Sequence, residues 1–287
     1  MKIAYLILHY MAGADTIECI DSILKATEYS KYETSIIVVD NGSTNDSFQQ
    51  ISNKFKDNKK IKLIHSDINL GFAKGNNLGY HYAKYELNAD FIVQLNNDTI
   101  LSQTDFNEVL VNKFYEKRYA VLGPDIITAD GYHQNPGKKQ SWSKSELSLY
   151  RIKKRIRLYL SYLYLDEYIS SFIKNVKVIY STTTLNGDIE NTILHGACLI
   201  FSPLFINRFD GLYDKTFLYW EEDILKLQSD YFKFKMIYTS DLQIYHKEDA
   251  ATNMIAINNR DKNIKKYRLL IESSKVYSNL LKCYNLK

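Results

Sequence analysis

The chain has 287 residues, of which 45% are hydrophobic and 24% are charged, and its formal net charge is +4. This length suits one large domain with appended segments, and the mild charge permits an anionic partner without requiring one. The three cysteines, Cys19, Cys198 and Cys283, are too scattered for a disulfide framework and favour a reducing compartment, and no apolar stretch approaches the roughly 20 residues of a membrane span.

Short apolar runs alternate with amphipathic stretches over the first 125 residues. The apolar runs predict strands at residues 2–8, 35–39, 61–65, 90–95 and 120–122. Helical spacing predicts a first helix capped by Asp15 with Glu18, and further helices at 48–55, 72–85 and 106–114. This alternation indicates an α/β fold with a mostly parallel sheet, in which ligands bind beyond the carboxyl ends of the strands.

The second half of the chain has a different character. Residues 128–145 are polar and predict a loop, whereas residues 150–174 are basic and aromatic. An apolar strand is predicted at 193–201, and residues 251–287 predict a basic helical tail.

The first polar turn after a strand reads V-V-D-N-G-S-T-N-D, residues 38–46. Asp40 stands at the end of the strand, where its carboxylate can accept hydrogen bonds from a base edge or a ribose hydroxyl. Asn41 and Gly42 allow the backbone to turn with a positive φ. The alternative interpretation is an ordinary turn that leads from a strand into a capped helix.

The second polar turn reads N-L-G-F-A-K-G-N-N-L-G, residues 69–79, and opens a helix. Its backbone N–H groups and Lys74 are suited to face a diphosphate. The segment does not fit the dinucleotide or Walker patterns, which require other glycine spacings. The alternative interpretation is a glycine-rich turn before a capped helix.

The third polar turn reads Q-L-N-N-D-T, residues 94–99. A carboxylate at the end of a strand suits a hard divalent cation that also bridges two phosphates, and Asp98 is the natural ligand. His246 follows a later apolar run and becomes a metal ligand only in partnership with Asp98. The alternatives are a surface turn and an ordinary hydrogen-bonded histidine.

Three adjacent acids follow a tryptophan in W-E-E-D, residues 220–223. Neighbouring carboxylates repel one another, so one of them can keep a raised pKa and serve as a general base. The alternative interpretation is a solvated helix N-terminus, where the helix dipole favours acids.

Taken in order, these motifs resemble the inverting family 2 glycosyltransferases of the GT-A fold. The chain reads V-V-D-N-G-S, N-L-G-F-A-K-G-N-N, L-N-N-D, H-G-A-C-L-I-F and F-L-Y-W-E-E-D, followed by the histidine. The resemblance covers about residues 1–250. It is strongest to the branch that builds bacterial O-antigens and capsules, including rhamnosyl- and galactofuranosyltransferases.

The resemblance implies roles for the matching residues. Asp98 and His246 are expected to bind Mg²⁺ or Mn²⁺, with Asn96 where the family usually has a first aspartate. The residues expected to bind the donor are Asp40, Asn41, Asn69, Lys74, Gly75, Asn76, Asn96 and Asn97.

The base and the acceptor side are also implied by the resemblance. Glu222 matches the general base, and Trp220 lies on the acceptor side. Because Ile224 stands where the family has a later aspartate, Glu221 and Asp223 remain alternatives for the base.

The expected fold is therefore a GT-A domain over residues 1–250, with a nucleotide-sugar half at 1–125 and an acceptor half at 126–250. A helical insertion at about 145–174 and a basic tail at 251–287 complete it. The expected activity is transfer from a nucleotide sugar to a glycan or lipid-linked oligosaccharide. The rival classes are a sugar-1-phosphate nucleotidyltransferase, which would want a basic loop after the first strand, and a non-catalytic nucleotide-sugar-binding module.

The basic clusters at 150–174 and in the tail suit the surface of an anionic membrane, and the alternative is a solvated face or a homodimer contact. The expected location is the cytoplasm, at the inner face of the membrane. No nucleic-acid partner is expected.

Overall fold

The computed structural model describes residues 1–166, 185–248 and 259–285. The nine strands of these ranges form one sheet, in the order β3-β2-β1-β4-β8-β6-β9-β5, with β7 paired to β9. The strands are β1 (Lys2–His9), β2 (Glu33–Asn41), β3 (Ile61–Ser66), β4 (Phe91–Asn96), β5 (Thr99–Ile100), β6 (Val121–Thr128), β7 (Asp188–Glu190), β8 (Cys198–Phe201) and β9 (Met236–His246).

Helices connect these strands and cover both faces of the sheet. They are α1 (Gly13–Ala26), α2 (Ser47–Phe55), α3 (Phe72–His81), α4 (Phe106–Lys117), α5 (Lys144–Tyr162), α6 (Pro203–Ile206), α7 (Glu221–Phe232) and α8 (Asn259–Cys283). A π-helical turn, Tyr82–Glu86, continues α3. None of the helices in the described ranges is long and apolar enough to cross a membrane.

The first four strands of the sheet are parallel, and the apolar runs of β1, β2 and β4 are buried on both faces, whereas the edge strand β3 is partly exposed. β1 lies between β2 and β4, and β2 also pairs with β3. Alternate side chains of each strand enter the core on opposite faces, because successive residues in a strand point to opposite sides. Ile3, Tyr5 and Ile7 pack in the core that includes α1, while Ala4 and Leu6 pack in the core that includes α3.

The second half of the sheet is mixed. β8 runs antiparallel between β4 and β6, and β9 runs parallel to β6 but antiparallel to β5 and β7. The α/β fold class is confirmed, with helices on both sides of a central sheet. Because β8 is antiparallel to both β4 and β6, strands β6 and β9 run in the same direction as β4, and the carboxyl ends of β4 and β9 lie at the same edge of the sheet.

A third layer joins α5, α7 and α8. Its buried residues are Leu147, Trp220, Ile224, Leu227, Leu270, Tyr277, Leu280 and Leu281. The helical part of the basic tail therefore packs against α5 and α7. The division into domains stays a prediction, and residues 167–174 of the predicted insertion and 251–258 of the predicted tail lie outside the described residues.

Two local predictions were wrong. Asp15 does not cap the first helix, which begins at Gly13; instead Asp15 and Glu18 both pair with Lys247, the former at 3.1 Å. The predicted strand at 193–201 forms only at Cys198–Phe201. Its first half includes Gly196, where the backbone leaves the sheet and turns toward α7.

Candidate active site

The carboxylate of Asp40 is fully buried at the end of β2. His65 Nδ1 lies 2.8 Å from Asp40 Oδ2, and the backbone N–H of Ser43 donates to Oδ1 at 3.2 Å. His9 Nε2 is 4.0 Å from the same Oδ1, but burial lowers the pKa of His9 to about 4, against the opposing effect of Asp40. His9 is therefore neutral at pH 7, and Asp40 lies beside the half-exposed ring of His65.

Asn41 and Asn69 stabilise the turn before α3 through side-chain hydrogen bonds. Asn41 Oδ1 accepts from Leu70 N–H at 2.9 Å, while its Nδ2 donates to Gly71 O at 3.1 Å and Asn69 Oδ1 at 3.2 Å. Gly71 has φ +84°, and a Cβ there would lie 2.2 Å from the carbonyl oxygen of Phe217, so only glycine fits. Both amides thus shape the turn, and their contact with a donor stays a prediction.

The first turn of α3 carries Lys74, Gly75 and Asn76. Lys74 is exposed, whereas Gly75 is packed so tightly that an added Cβ would lie 2.7 Å from Leu8. Asn76 is 1% exposed; its Nδ2 donates to Phe72 O at 3.0 Å, and no described residue hydrogen-bonds to its Oδ1. Lys74 is the residue of this turn that is placed to reach an anionic group.

The structure brings Asp98 and His246 together. His246 ends β9 and is paired in register with Thr99, so its Nε2 lies 3.1 Å from Asp98 Oδ1. His246 Nδ1 is 2.7 Å from Gln134 Oε1, an acceptor that fixes the proton on Nδ1. His246 therefore presents its Nε2 to the Asp98 carboxylate.

This pair fits a divalent cation of the type expected. Mg²⁺ is usually held by one or two protein carboxylates together with substrate phosphates, and Mn²⁺ also accepts imidazole nitrogen. Within the described ranges, no three His, Cys, Asp or Glu side chains form a complete cage, so phosphates and water would complete the coordination. Asn97, next to Asp98, instead donates to Thr16 Oγ1 at 3.0 Å, and Asn96 is partly exposed beside it.

The three acids at the start of α7 have different partners. Glu221 accepts from the Thr216 hydroxyl at 2.9 Å, and burial together with Glu222 raises its pKa to about 7. Asp223 accepts from the indole Nε1 of Trp142 at 2.7 Å, and burial together with Glu222 raises its pKa to about 6. Glu221 is buried and Asp223 is partly exposed, and each accepts a hydrogen bond from a neighbouring side chain.

Glu222 lies beside the segment that precedes β8. Its Oε1 accepts from the backbone N–H of Gly196 at 3.1 Å. The adjacent His195 lies 5.9 Å from His246 between ring centroids, and its Nδ1 accepts from Ala197 N–H at 3.2 Å. Burial lowers the pKa of His195, while Glu222 raises it and His246 lowers it further, so His195 is within electrostatic reach of both. Of the three acids, Glu222 is thus the one that His195 connects to the pair of Asp98 and His246.

Trp220 does not offer an open face to an acceptor. It is 5% exposed and packs against Trp142, Tyr150 and Tyr277, with ring centroids between 5.1 and 5.2 Å away. Trp220 has φ 76°, a costly backbone state for an aromatic residue, and the surrounding rings hold it there. Its role on the acceptor side stays a prediction.

A family model places this site in a known group of proteins. The model for glycosyl transferase family 2 matches residues 6–186, which is more than half of the chain. The chain belongs to glycosyl transferase family 2. The matched range includes Asp40, the α3 turn and Asp98, whereas Glu222 and His246 lie beyond it.

Curated relatives match this family 2 chain over shorter stretches. It is 31% identical over 99 residues to the low-salt glycan biosynthesis hexosyltransferase Agl10 of Haloferax volcanii, covering 34% of this chain and 30% of that protein. It is 30% identical over 124 residues to the glycosyltransferase GlyG of Streptococcus pneumoniae, covering 43% of this chain and 37% of that protein. The matched stretch is thus about a third of each relative's length.

Solved structures share the fold of this family 2 chain at low identity. TarS of S. aureus, residues 1–349 in complex with UDP-GlcNAc, has a TM-score of 0.55 and 15% identity, covering 96% of this chain and 66% of that one. The same protein in complex with UDP has a TM-score of 0.52 and 14% identity, covering 93% and 71%.

The family 2 site also contains residues that the sequence motifs do not assign. His65, Trp142 and Gln134 contact Asp40, Asp223 and His246, respectively. All three lie outside the polar turns assigned from the sequence, and no local sequence pattern marks them as site residues. Only His195 carried a signal, because it opens the H-G-A-C-L-I-F segment.

Proposed function

We propose that this family 2 protein is an inverting glycosyltransferase, which moves a sugar from a nucleoside-diphosphate sugar to a hydroxyl of a glycan or lipid-linked acceptor. The observation that carries the proposal is the position of Glu222. Its carboxylate is bonded to Gly196, next to His195, whose ring faces that of the metal-pair residue His246. In this proposal a base therefore lies near the candidate metal site that would hold the diphosphate, as a single displacement requires.

Each group has a defined task in this proposal. Asp40 is buried against the half-exposed ring of His65 and would act on the nucleoside by holding that ring, while Lys74 approaches the diphosphate. Asp98 and His246 would hold Mg²⁺ or Mn²⁺, which supplies positive charge for the departing diphosphate. Glu222 takes the proton from the acceptor hydroxyl as that oxygen attacks the anomeric carbon from the side opposite the diphosphate, so the configuration inverts.

For the donor and the pathway, we propose only a chemical class and a type of biosynthesis. TarS was solved with UDP-GlcNAc and with UDP, so UDP-linked sugars are the first donors to test. The motif set favours the branch that makes bacterial O-antigens and capsules with rhamnosyl or galactofuranosyl donors. Free cysteines at Cys19, Cys198 and Cys283 favour a reducing compartment, and we place the work in the cytoplasm at the inner face of the membrane.

The proposal is tested by release of nucleoside diphosphate from UDP-, GDP- and dTDP-sugars in the presence of Mn²⁺. Glu222→Gln should keep donor binding but lower turnover by about 10²-fold, because only the proton transfer is lost. Glu221→Gln and Asp223→Asn are the matched controls and should retain more activity than Glu222→Gln. Greater loss in either control would move the base by one position.

A second variant tests the metal pair. Asp98→Ala should abolish transfer and remove the effect of Mn²⁺ on nucleotide binding, measured by calorimetry. Unchanged metal dependence would contradict the assigned site. Formation of pyrophosphate from a nucleoside triphosphate and a sugar phosphate would indicate a nucleotidyltransferase instead, and metal-independent donor binding without turnover would indicate a binding module.

A further inference from the structure

One face of α5 carries a stripe of exposed apolar side chains. Its members, each more than half exposed, are Leu149, Ile152, Ile156, Tyr159 and Leu163. They are separated by three and four residues, so they line one side of the helix. The helix has 19 residues and is therefore about 28 Å long. A contiguous apolar surface of this kind marks an interaction site.

The packing of the opposite face of α5 explains why the apolar stripe is exposed to solvent. Leu147 is fully buried against α7 and α8, and Ser161 is 2% exposed near the other end of the helix. Lys154 also turns inward, with its Nζ 5.2 Å from the ring centroid of Tyr150 and 5.8 Å from that of Tyr267. The packing against α7 and α8 thus fixes the rotation of α5 and directs the apolar stripe outward.

Basic residues border the stripe on both sides. At 100° per residue, Lys153 lies along one edge and Arg155 along the other, and Arg151, which is partly exposed, lies farther round on the same side as Arg155. Arg157 is held by Asp166 at 2.9 Å. Three cations therefore flank an apolar surface, which is the arrangement of helices that lie in the interface of an anionic membrane.

A groove between α5 and α8 continues this surface. Its volume is about 330 Å³, and it is lined by Arg155, Leu158, Tyr159, Tyr162, Arg268, Ile271, Glu272 and Lys275. Three of these side chains are cationic and one is acidic, so the groove suits a phosphate group. Arg155 and Tyr159 belong to both the groove and the α5 face, which makes the two features one surface.

We propose that this α5 face docks the protein on an anionic lipid bilayer, with the apolar stripe in the headgroup region and a lipid phosphate in the groove. Charge decides against a second copy as the occupant. A symmetric dimer through this face would bring the same flanking cations toward one another, whereas an anionic surface neutralises them.

The N-terminal end of α5, the helix that carries the docking face, lies beside the acids at the start of α7. Residue Lys144 begins α5, and Trp142, two residues earlier, donates its indole N–H to Asp223. A lipid-linked acceptor held at the bilayer would thus approach the acids from the α5 side. This last point rests on the proposed glycosyltransferase function, whereas the docking itself does not.

The test uses the full chain and flotation with vesicles of phosphatidylcholine alone or mixed with phosphatidylglycerol. We expect binding only to the anionic vesicles, and weakening with salt. Arg151→Gln with Lys153→Gln and Arg155→Gln should weaken binding about 100-fold, since each cation near such a surface contributes about a fivefold factor. Replacing three exposed lysines far from α5, Lys56, Lys59 and Lys60, by Gln is the charge-matched control and should have little effect.

The apolar stripe has its own matched pair of variants. Ile152→Ser with Tyr159→Ser should weaken binding about tenfold or more, because both side chains would lose burial in the headgroup region. Ile68→Ser with Tyr29→Ser removes the same exposed residue types elsewhere and should not. Melting temperatures of all variants show that each is folded.

Several results would overturn the docking proposal. These are equal binding to neutral vesicles, no binding to anionic ones, or equal loss in the control variants. Conversion of a dimer to a monomer by the stripe variants, seen by sedimentation, would assign the face to a second copy. Release of nucleoside diphosphate is measured without vesicles, so failure of the enzyme and failure of docking are separate outcomes.

Discussion

The three acids of W-E-E-D become chemically distinct because their side chains leave α7 in different directions. Thr216 and Trp142 donate to Glu221 and Asp223, and both of these acids are mostly withdrawn from water. Glu222 accepts a backbone N–H from the segment that precedes β8. A sequence shows three similar carboxyls, and their separate surroundings depend on contacts that no local pattern encodes.

Gly196 offers a direct test of the position of Glu222. A Cβ at residue 196 would lie 2.7 Å from Glu222 Oε1, the mobile end of a side chain. Gly196→Ala should therefore move the carboxylate without breaking the fold and lower kcat by about 10-fold or more, because small misplacements of a catalytic group are costly. Steady-state kinetics measure the change, and thermal unfolding shows that stability is retained.

Gly71→Ala is the contrasting variant. Here the added Cβ meets the backbone oxygen of Phe217 at 2.2 Å, and the residue has φ +84°. This variant should lose stability together with activity. If Gly196→Ala keeps full kcat, Glu222 is not held where its bond to Gly196 places it, or it is not the base.

At the scale of the element, strands were easier to predict than the ends of helices. Buried parallel strands produce continuous apolar runs, so 35–39 lies within β2, and 90–95 lies within β4 except for its first residue. The capping role of Asp15 was wrong because its true partner, Lys247, is 232 residues away along the chain. The burial of Trp220 was also not visible in its motif, because its aromatic neighbours come from α5 and α8.

Trp220 packs between three helices, so its replacement by a smaller side chain should lower the stability of the fold. Trp220→Ala should lower the free energy of unfolding by about 3 kcal/mol or more, because it leaves a cavity among Trp142, Tyr150 and Tyr277. Urea unfolding followed by circular dichroism measures the loss.

The conservative variant Trp220→Phe separates packing from acceptor recognition. If Trp220 acts only by packing, this variant should change stability modestly and leave the KM for the acceptor unaltered. A large rise in that KM in a folded protein would support direct contact with the acceptor. Wild-type stability in Trp220→Ala would contradict the packing role.

At the scale of the whole molecule, the site depends on how the sheet is completed. Asp98 and His246 are 148 residues apart in sequence, yet the antiparallel pairing of β5 with β9 places them in contact. The sequence made a metal role for His246 conditional on partnership with Asp98; the structure shows the two side chains in contact, and the metal role stays a prediction. Gln134, which contacts His246 Nδ1, could not be predicted, because the loop after β6 gives no sequence signal of its own.

Stability against pH is a property of the whole molecule to which the buried acids contribute. Burial and Glu222 raise the pKa of Glu221 to about 7 and, with the same neighbour, that of Asp223 to about 6. A carboxyl with a raised pKa in the folded state stabilises the fold fully below its unfolded pKa. That contribution is lost as the pH rises through the folded pKa, because the unfolded chain releases the proton more easily. His9 acts in the opposite direction, since its pKa is lowered to about 4.

Glu221→Gln isolates one part of this balance. The amide cannot ionise, so the variant should not lose the contribution that wild-type Glu221 loses between about pH 4.5 and pH 7, which is on the order of 2 kcal/mol. The measurement is the free energy of unfolding in urea at about pH 5 and about pH 8 for both proteins, because their difference cancels the effect of His9. The exposed Glu28→Gln is the control and should follow the wild type. Equal pH dependence in wild type and Glu221→Gln would show that Glu221 is ionised in the folded protein and that its burial does not raise its pKa.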